Sequence, residues 1–159
     1  MSLRLLGGDD IAAAVGRSRS LARGRANHNL HRSLDDPVQR FVNVLQPGSY
    51  VRPHRHDLPR WEVFLLLEGE AGALSFDDAG AVIEHATLRR GGARAVEFPA
   101  GAWHTVLALR PDTVMFEIKP GPYRPIADKD FAAWTPREGT DEARALLDAW
   151  TRLFSAAGR

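Results

Sequence analysis

Short runs of alternating apolar and polar residues fill the middle of the chain. From Gln39 to Lys119 these runs are broken by turn signals at close intervals, which predicts strands over 39–46, 49–56, 61–67, 71–76, 81–89, 94–98, 103–109 and 113–119. In the run Trp61–Leu67, residues Glu62, Phe64 and Leu66 fall on one face because a strand's side chains alternate. Asp77-Asp78-Ala79-Gly80 has the composition of a hairpin turn, and Pro120-Gly121-Pro122 ends the sheet region because proline has no N–H to give a ladder. The flanks follow another rhythm. Asp9-Asp10 can cap a short helix through Ile11, Ala12, Ala13, Ala14 and Val15 that fades by Gly24. Arg25 to Ser33 is polar and aperiodic, a loop-like arm, and Asp36-Pro37 marks a turn. Near the end, Thr140 can cap a helix with Asp141 and Glu142 in its first turn. Its stripe of Leu146, Leu147, Trp150, Leu153 and Phe154 would pack on the outside of a barrel or across a dimer interface. The pattern predicts an all-β, double-sheet jelly-roll barrel in a single domain over residues 1–159. Its parts are an N-terminal arm with a short helix (1–38), a barrel core of about 39–119, and a tail with an amphipathic helix (120–159).

Composition narrows the function classes. A chain of 159 residues with 44% hydrophobic and 26% charged residues fits one folded domain with a sizeable core. A net charge of +1 lacks the basic excess of a dedicated nucleic-acid binder. There is no cysteine, so disulfides, thiolate ligands and a cysteine nucleophile are excluded. No run approaches a membrane span of about 20 apolar residues, and the first ten residues lack the apolar core of a signal peptide; the expectation is a cytoplasmic protein with no membrane partner. Nearly all basic residues are arginine, whose planar fork suits carboxylate or phosphate, although a compositional bias of the genome explains the same skew.

Four residues stand out chemically. His54 and His56 lie at i, i+2 and share a strand face; Glu62 follows in the next strand and His104 in a later one. Imidazole nitrogens gathered with a carboxylate oxygen suit one divalent transition metal, with Fe, Mn, Ni and Zn all tolerated. Glu62 would otherwise be a buried carboxylate on an apolar face, which needs a partner; it serves either as a ligand or as a carboxylate orienting a ligand histidine. No Gly-Lys-Ser/Thr phosphate loop and no Ser-His-Asp arrangement accompanies them.

The spacing Gly48-x5-His54-x-His56-x5-Glu62-x6-Gly69, followed by Pro99-x-Gly101-x2-His104, resembles the two motifs of the cupin superfamily. Two departures are visible. The gap between His56 and Glu62 is one residue longer than usual and holds the turn-rich Asp57-Leu58-Pro59-Arg60, and the Asn that often closes the second motif is Ala108. Three stretches look more narrowly like the WbuC family of cupin-fold metalloproteins. These are Arg25-x-Asn27-x-Asn29-Leu30-His31-x-Ser33 with Asp36-Pro37-Val38-Gln39-Arg40, then Gln46-Pro47-Gly48-x-Tyr50-Val51-Arg52-Pro53-His54-Arg55-His56. The third is Lys119-Pro120-Gly121-Pro122-Tyr123 with Lys129-Asp130-Phe131. The resemblance implies a cupin double-stranded β-helix, one bound divalent metal and a setting in bacterial surface polysaccharide synthesis; it implies no particular reaction.

Around the metal, Arg52 shares the parity of His54 and His56 and is the candidate for holding an anionic substrate group, with a structural ion pair as its alternative. Asn27, Asn29 and His31 would bring polar contacts from the arm. Glu117 and Lys119 share a face that lines the pocket or meets solvent, and Tyr123 closes the rim or caps the core. The expected ligand is a small polar or anionic molecule, such as a sugar, sugar nucleotide or small carboxylate. One reading is a metal-dependent isomerase, epimerase, lyase or oxygenase in which His31, Glu117 or Tyr123 moves a proton. The other is a non-catalytic sugar-binding or regulatory module, and a homodimer is expected in either case.

Overall fold

The computed structural model describes residues 3–124 and 130–155, so Lys129 of the third resemblance stretch lies outside the described residues. The chain begins with helix α1 (Gly8–Ser20) and then runs through eight strands. These are β1 (Arg25–Asn29), β2 (Val38–Leu45), β3 (Glu62–Glu68), β4 (Glu70–Phe76), β5 (Val82–Arg89), β6 (Ala95–Phe98), β7 (Trp103–Ala108) and β8 (Thr113–Pro120), and helix α2 (Asp141–Ser155) follows. One antiparallel sheet has the order β1-β2-β8-β3-β6 and the other β5-β4-β7, so the jelly-roll expectation holds.

Strand alternation sorts side chains onto three apolar layers. Phe64, Leu66, Ala71, Ala73, Leu88, Phe98, Val106 and Met115 meet between the sheets. Val42, Val44 and Val114 turn the other way and pack under Ala14 of α1. On the outer face of the second sheet, Leu74, Phe76 and Leu107 receive Leu147 and Trp150 of α2. The helical stripe therefore packs on its own barrel, the first of its two predicted placements, and no longer argues for a dimer. Trp150 stacks on Tyr50 at 5.9 Å between ring centroids and lies tilted against Phe76 at 5.2 Å. The cap is as expected, with the Ala143 N–H donating to Thr140 Oγ1 at 3.2 Å.

Three expectations need correction. The aperiodic arm includes a strand, β1, paired with β2 from Arg25↔Leu45 to Asn29↔Phe41. Its polarity hid it: Arg25 and Asn27 face a cavity and not an apolar core. Residues 49–56 form no ladder strand; His54 alone bridges His104 on one side and Phe131 on the other. Pro53 has no N–H to donate, which interrupts any ladder there. Asp9 and Asp10 lie inside the first turn of α1 and not at its cap position, which Gly7 holds; Asp10 caps from within the turn, its Oδ2 accepting the Gly7 N–H at 3.0 Å. No helix among the described residues is long and apolar enough to cross a membrane.

Because Trp150 is 5% exposed and touches two aromatic rings, Trp150→Ala should destabilise the fold by about 3–5 kcal/mol. Urea unfolding will check this; a loss below about 1 kcal/mol would mean that α2 is not anchored as described.

Candidate metal centre

Three stretches of chain bring the four predicted ligands together. His54 and His56 come from the extended segment before β3, Glu62 from the first residue of β3, and His104 from β7. One donor atom from each lies within 4.8 Å of the others. The long gap after His56 is taken up by a turn in which the Arg60 N–H donates to Asp57 O at 2.9 Å, so the extra residue does not displace Glu62.

Backbone carbonyls fix the imidazoles. Nδ1 of His54 donates to Arg52 O at 3.1 Å and Nδ1 of His104 to Ala102 O at 2.8 Å. A carbonyl can only accept, so Nδ1 of each ring carries a proton and Nε2 is left to face the cluster. His104 Nε2 meets Glu62 Oε2 at 2.9 Å, two atoms that each present a lone pair when unprotonated. Such a contact needs a cation between the two atoms, either a proton or a metal. Nε2 of His56 lies 3.4 Å from Glu62 Oε1 and has no hydrogen-bond partner in a buried position. Donor chemistry and orphaned nitrogen together fit a divalent ion.

Electrostatics keep the cluster ready for one. Burial, and then His104, push His54 down to about 3, so its ring is neutral at neutral pH. Burial alone would raise the Glu62 carboxyl. The Lys119 ammonium is the main opposing influence, and Glu62 is held well below its ordinary range. Lys119 Nζ lies 2.9 Å from Glu62 Oε1 and 2.7 Å from Glu117 Oε1. Burial would depress Lys119, but its two carboxylate neighbours raise it. Glu117 moves the opposite way from Glu62: burial, then the Glu62 charge, push it well above the usual carboxylate range despite Lys119. One lysine between two buried carboxyls thus pulls Glu62 down and leaves Glu117 up, toward its acid form.

These groups open into a cavity of about 460 Å³ lined by Asn27, Arg52, His54, Glu62, His104, Glu117, Lys119 and Tyr123 among others. Asn43 Nδ2 donates to Glu117 Oε2 and fixes that carboxyl from β2. Arg52 lines the cavity while its guanidinium donates to Thr135 Oγ1 at 3.0 Å and to the carbonyls of Thr135 and Ala132 at 3.2 and 3.4 Å. It braces the chain after β8. Tyr123 stands at the rim, 44% exposed. His31 and Asn29 are not among the cavity's lining residues. His31 is buried, with Nδ1 3.1 Å from Arg40 O and its ring edge-on to Phe41, and Asn29 is exposed. Sequence reasoning passed over Asn43 and Arg25. The pairing Asn27↔Asn43 places both on the concave face, a parity that becomes readable once β1 is recognised as a strand.

The family model described as "Domain of unknown function (DUF6016)" matches residues 7–88, just over half of the chain, and the protein belongs to that family. No curated protein matches the sequence. Among solved structures, TT1209 from Thermus thermophilus superimposes with a TM-score of 0.55 at 19% identity, over 74% of this chain and 97% of that one. KdgF from Halomonas sp. gives 0.51 at 18%, over 65% and 84%. The DMSP lyase DddQ from Ruegeria pomeroyi gives 0.51 at 20%, over 67% and 52%. At such identities the likeness shows the fold alone, and that fold is the cupin jelly roll.

Two measurements follow. Removing the Lys119 cation leaves Glu62 and Glu117 buried without it, so Lys119→Ala should cost the metal-free protein about 3–5 kcal/mol in urea unfolding. Added divalent metal should restore part of that loss, and a variant as stable as the parent would overturn the ion-pair account. The second is pH dependence. His54 takes its proton near pH 6.5 when unfolded and near 3 when folded, so between those values the unfolded chain binds more protons. Stability of the metal-free protein should fall as pH drops through that window, with a shallower slope in His54→Gln.

Proposed function

We propose that this DUF6016 protein is a divalent-metal-dependent enzyme acting on a small, oxygen-rich polar substrate, within the WbuC-like group of cupin metalloproteins and their setting in bacterial surface polysaccharide metabolism. The observation that carries the catalytic reading is the buried Glu117 facing the cavity beside the ligand cluster, its carboxyl pushed well above its ordinary range by burial and by the Glu62 charge. Proton transfer calls for a carboxyl biased toward its acid form at that point, and a binding module does not. Enzymes also occur among proteins of this fold, a DMSP lyase included.

His54, His56, Glu62 and His104 would hold the ion, and iron(II), manganese(II), nickel(II) or zinc(II) suits this donor set. When bound, the ion supplies Lewis acidity that polarises a substrate oxygen. The chain supplies the rest. Glu117 donates a proton to, or returns it from, the substrate atom that gains or loses charge. Asn43 holds the Glu117 carboxyl in place, and Lys119 keeps the Glu62 charge from collapsing onto a proton. Tyr123 is the second proton-transfer candidate, at the rim, and Asn27 offers an amide to substrate hydroxyls. His31, outside the cavity lining, takes no part in this mechanism. Isomerisation, epimerisation and bond cleavage next to a polarised oxygen all draw on this arrangement.

Elemental analysis of purified and reconstituted protein should find about one equivalent of transition metal, and less than about one-tenth would remove the metal reading. A screen of sugars, nucleotide sugars and small acids against iron-, manganese- and zinc-loaded protein should then reveal turnover. Glu117→Gln should lower it by about 10²–10⁴-fold with metal content unchanged. Tight binding without turnover under every metal would make the protein a binding module instead.

A further inference from the structure

The cavity does not stop at the metal ligands. Its far end is walled by Arg23, Arg25 and Arg137, with Glu138 as the carboxylate among them. Arg25 grips Glu138 through both terminal nitrogens, at 2.6 and 3.0 Å, and Arg23 Nε adds contacts at 3.1 and 3.2 Å. Among the described residues Arg137 has no ion pair with a carboxylate, although it neighbours Glu138 in sequence and lines the same cavity. Three guanidiniums around one carboxylate leave an excess of positive charge at this end. Across the whole cavity, Arg23, Arg25, Arg52, Arg137 and Lys119 face three carboxyls, Glu62, Glu117 and Glu138. Five cationic side chains against three carboxyls leave the wall cationic even before a divalent ion is added. A low-dielectric cleft lined mostly by one sign of charge concentrates ligands of the opposite sign.

The distance between the two ends can be bounded. Arg25 Nη1 lies 3.1 Å from Tyr50 O, and His54 follows four residues later, so the two centres are separated by no more than about 14 Å of extended chain. One molecule in a cavity of about 460 Å³ can reach both.

We propose that the Arg23–Arg25–Arg137 cluster is a subsite for an anionic group, and that the ligand is a two-ended molecule: a sugar-like oxygen donor directed at the metal centre and a carboxylate or phosphate directed at the arginines. Guanidinium forks match both anions with paired hydrogen bonds, and Glu138 already shows how a carboxylate sits among them. Glu138 competes for the same donors and tempers the affinity for the ligand's anion. This rests on the functional reading above only in taking the metal centre as the other end.

Calorimetric titration of the full-length protein, metal-loaded and metal-free, tests it with D-glucose, D-glucuronate and D-glucose 1-phosphate as probes. The anionic probes should bind at least about tenfold more tightly than glucose, and whichever of the two is favoured identifies the anion as carboxylate or phosphate. Arg137→Ala and Arg23→Gln should each weaken the anionic probes by about tenfold or more and leave metal content unchanged. Glu138→Gln should strengthen them severalfold, a gain that a purely structural salt bridge would not give. Equal binding of neutral and anionic probes, no binding of either anion at millimolar concentration, or variants without effect would each overturn the subsite. A protein that takes no metal yet keeps the arginine-dependent preference would retain the subsite and lose the metal-enzyme reading, so the two failures are distinct.

Discussion

A single carboxylate placed on the apolar face of β3 sets the terms for the rest of the site. Glu62 is 2% exposed on a face continued by Phe64 and Leu66, and an ionised group there is unstable without cations close by. His104, His56 and Lys119 surround it from three other stretches of chain, each of which must arrive in register. The same carboxylate then pushes Glu117, on the neighbouring strand, toward its neutral form. One buried charge thereby gathers a cluster that could hold a metal and raises the carboxyl beside it.

Much of this was legible in the sequence because it depends on local alternation and spacing. The parity of Glu62, Phe64 and Leu66, the i, i+2 pair His54/His56 and the turn Asp77–Gly80 are features of neighbouring residues, and the fold realises them. The parts that were not legible depend on long-range pairing. β1 resembles a loop in the sequence because its inward residues, Arg25 and Asn27, face a wet cavity where a core strand would carry apolar ones. Segment 49–56 looks like a strand by composition, yet Pro53 breaks its ladder and its partners come from β7 and from the chain after β8. Whether Glu117 met solvent or substrate was open until the register Phe41↔Glu117↔Phe64 placed it at the centre of a five-stranded sheet.

Arg52 shows a different way in which parity falls short. Its position on the histidine face is as alternation requires, but a long side chain reaches beyond its own face. Its head binds Thr135 and Ala132 and lies 4.9 Å over the ring of Phe131. The other guanidiniums that line the cavity, Arg23, Arg25 and Arg137, lie where no local pattern signals them.

The segment around 130–135 lies outside both sheets, yet it forms one wall of the centre. Ala132 N donates to Pro53 O at 3.0 Å, Arg55 N donates to Asp130 O at 3.1 Å, and Thr135 receives Arg52. The histidine-bearing strip is therefore clasped between β7 and the chain that follows the last strand. A boundary drawn where the sheets end, near residue 120, would keep all four residues of the cluster while removing the clasp that aligns two of them. The unit that shapes this centre is longer than the barrel that displays it.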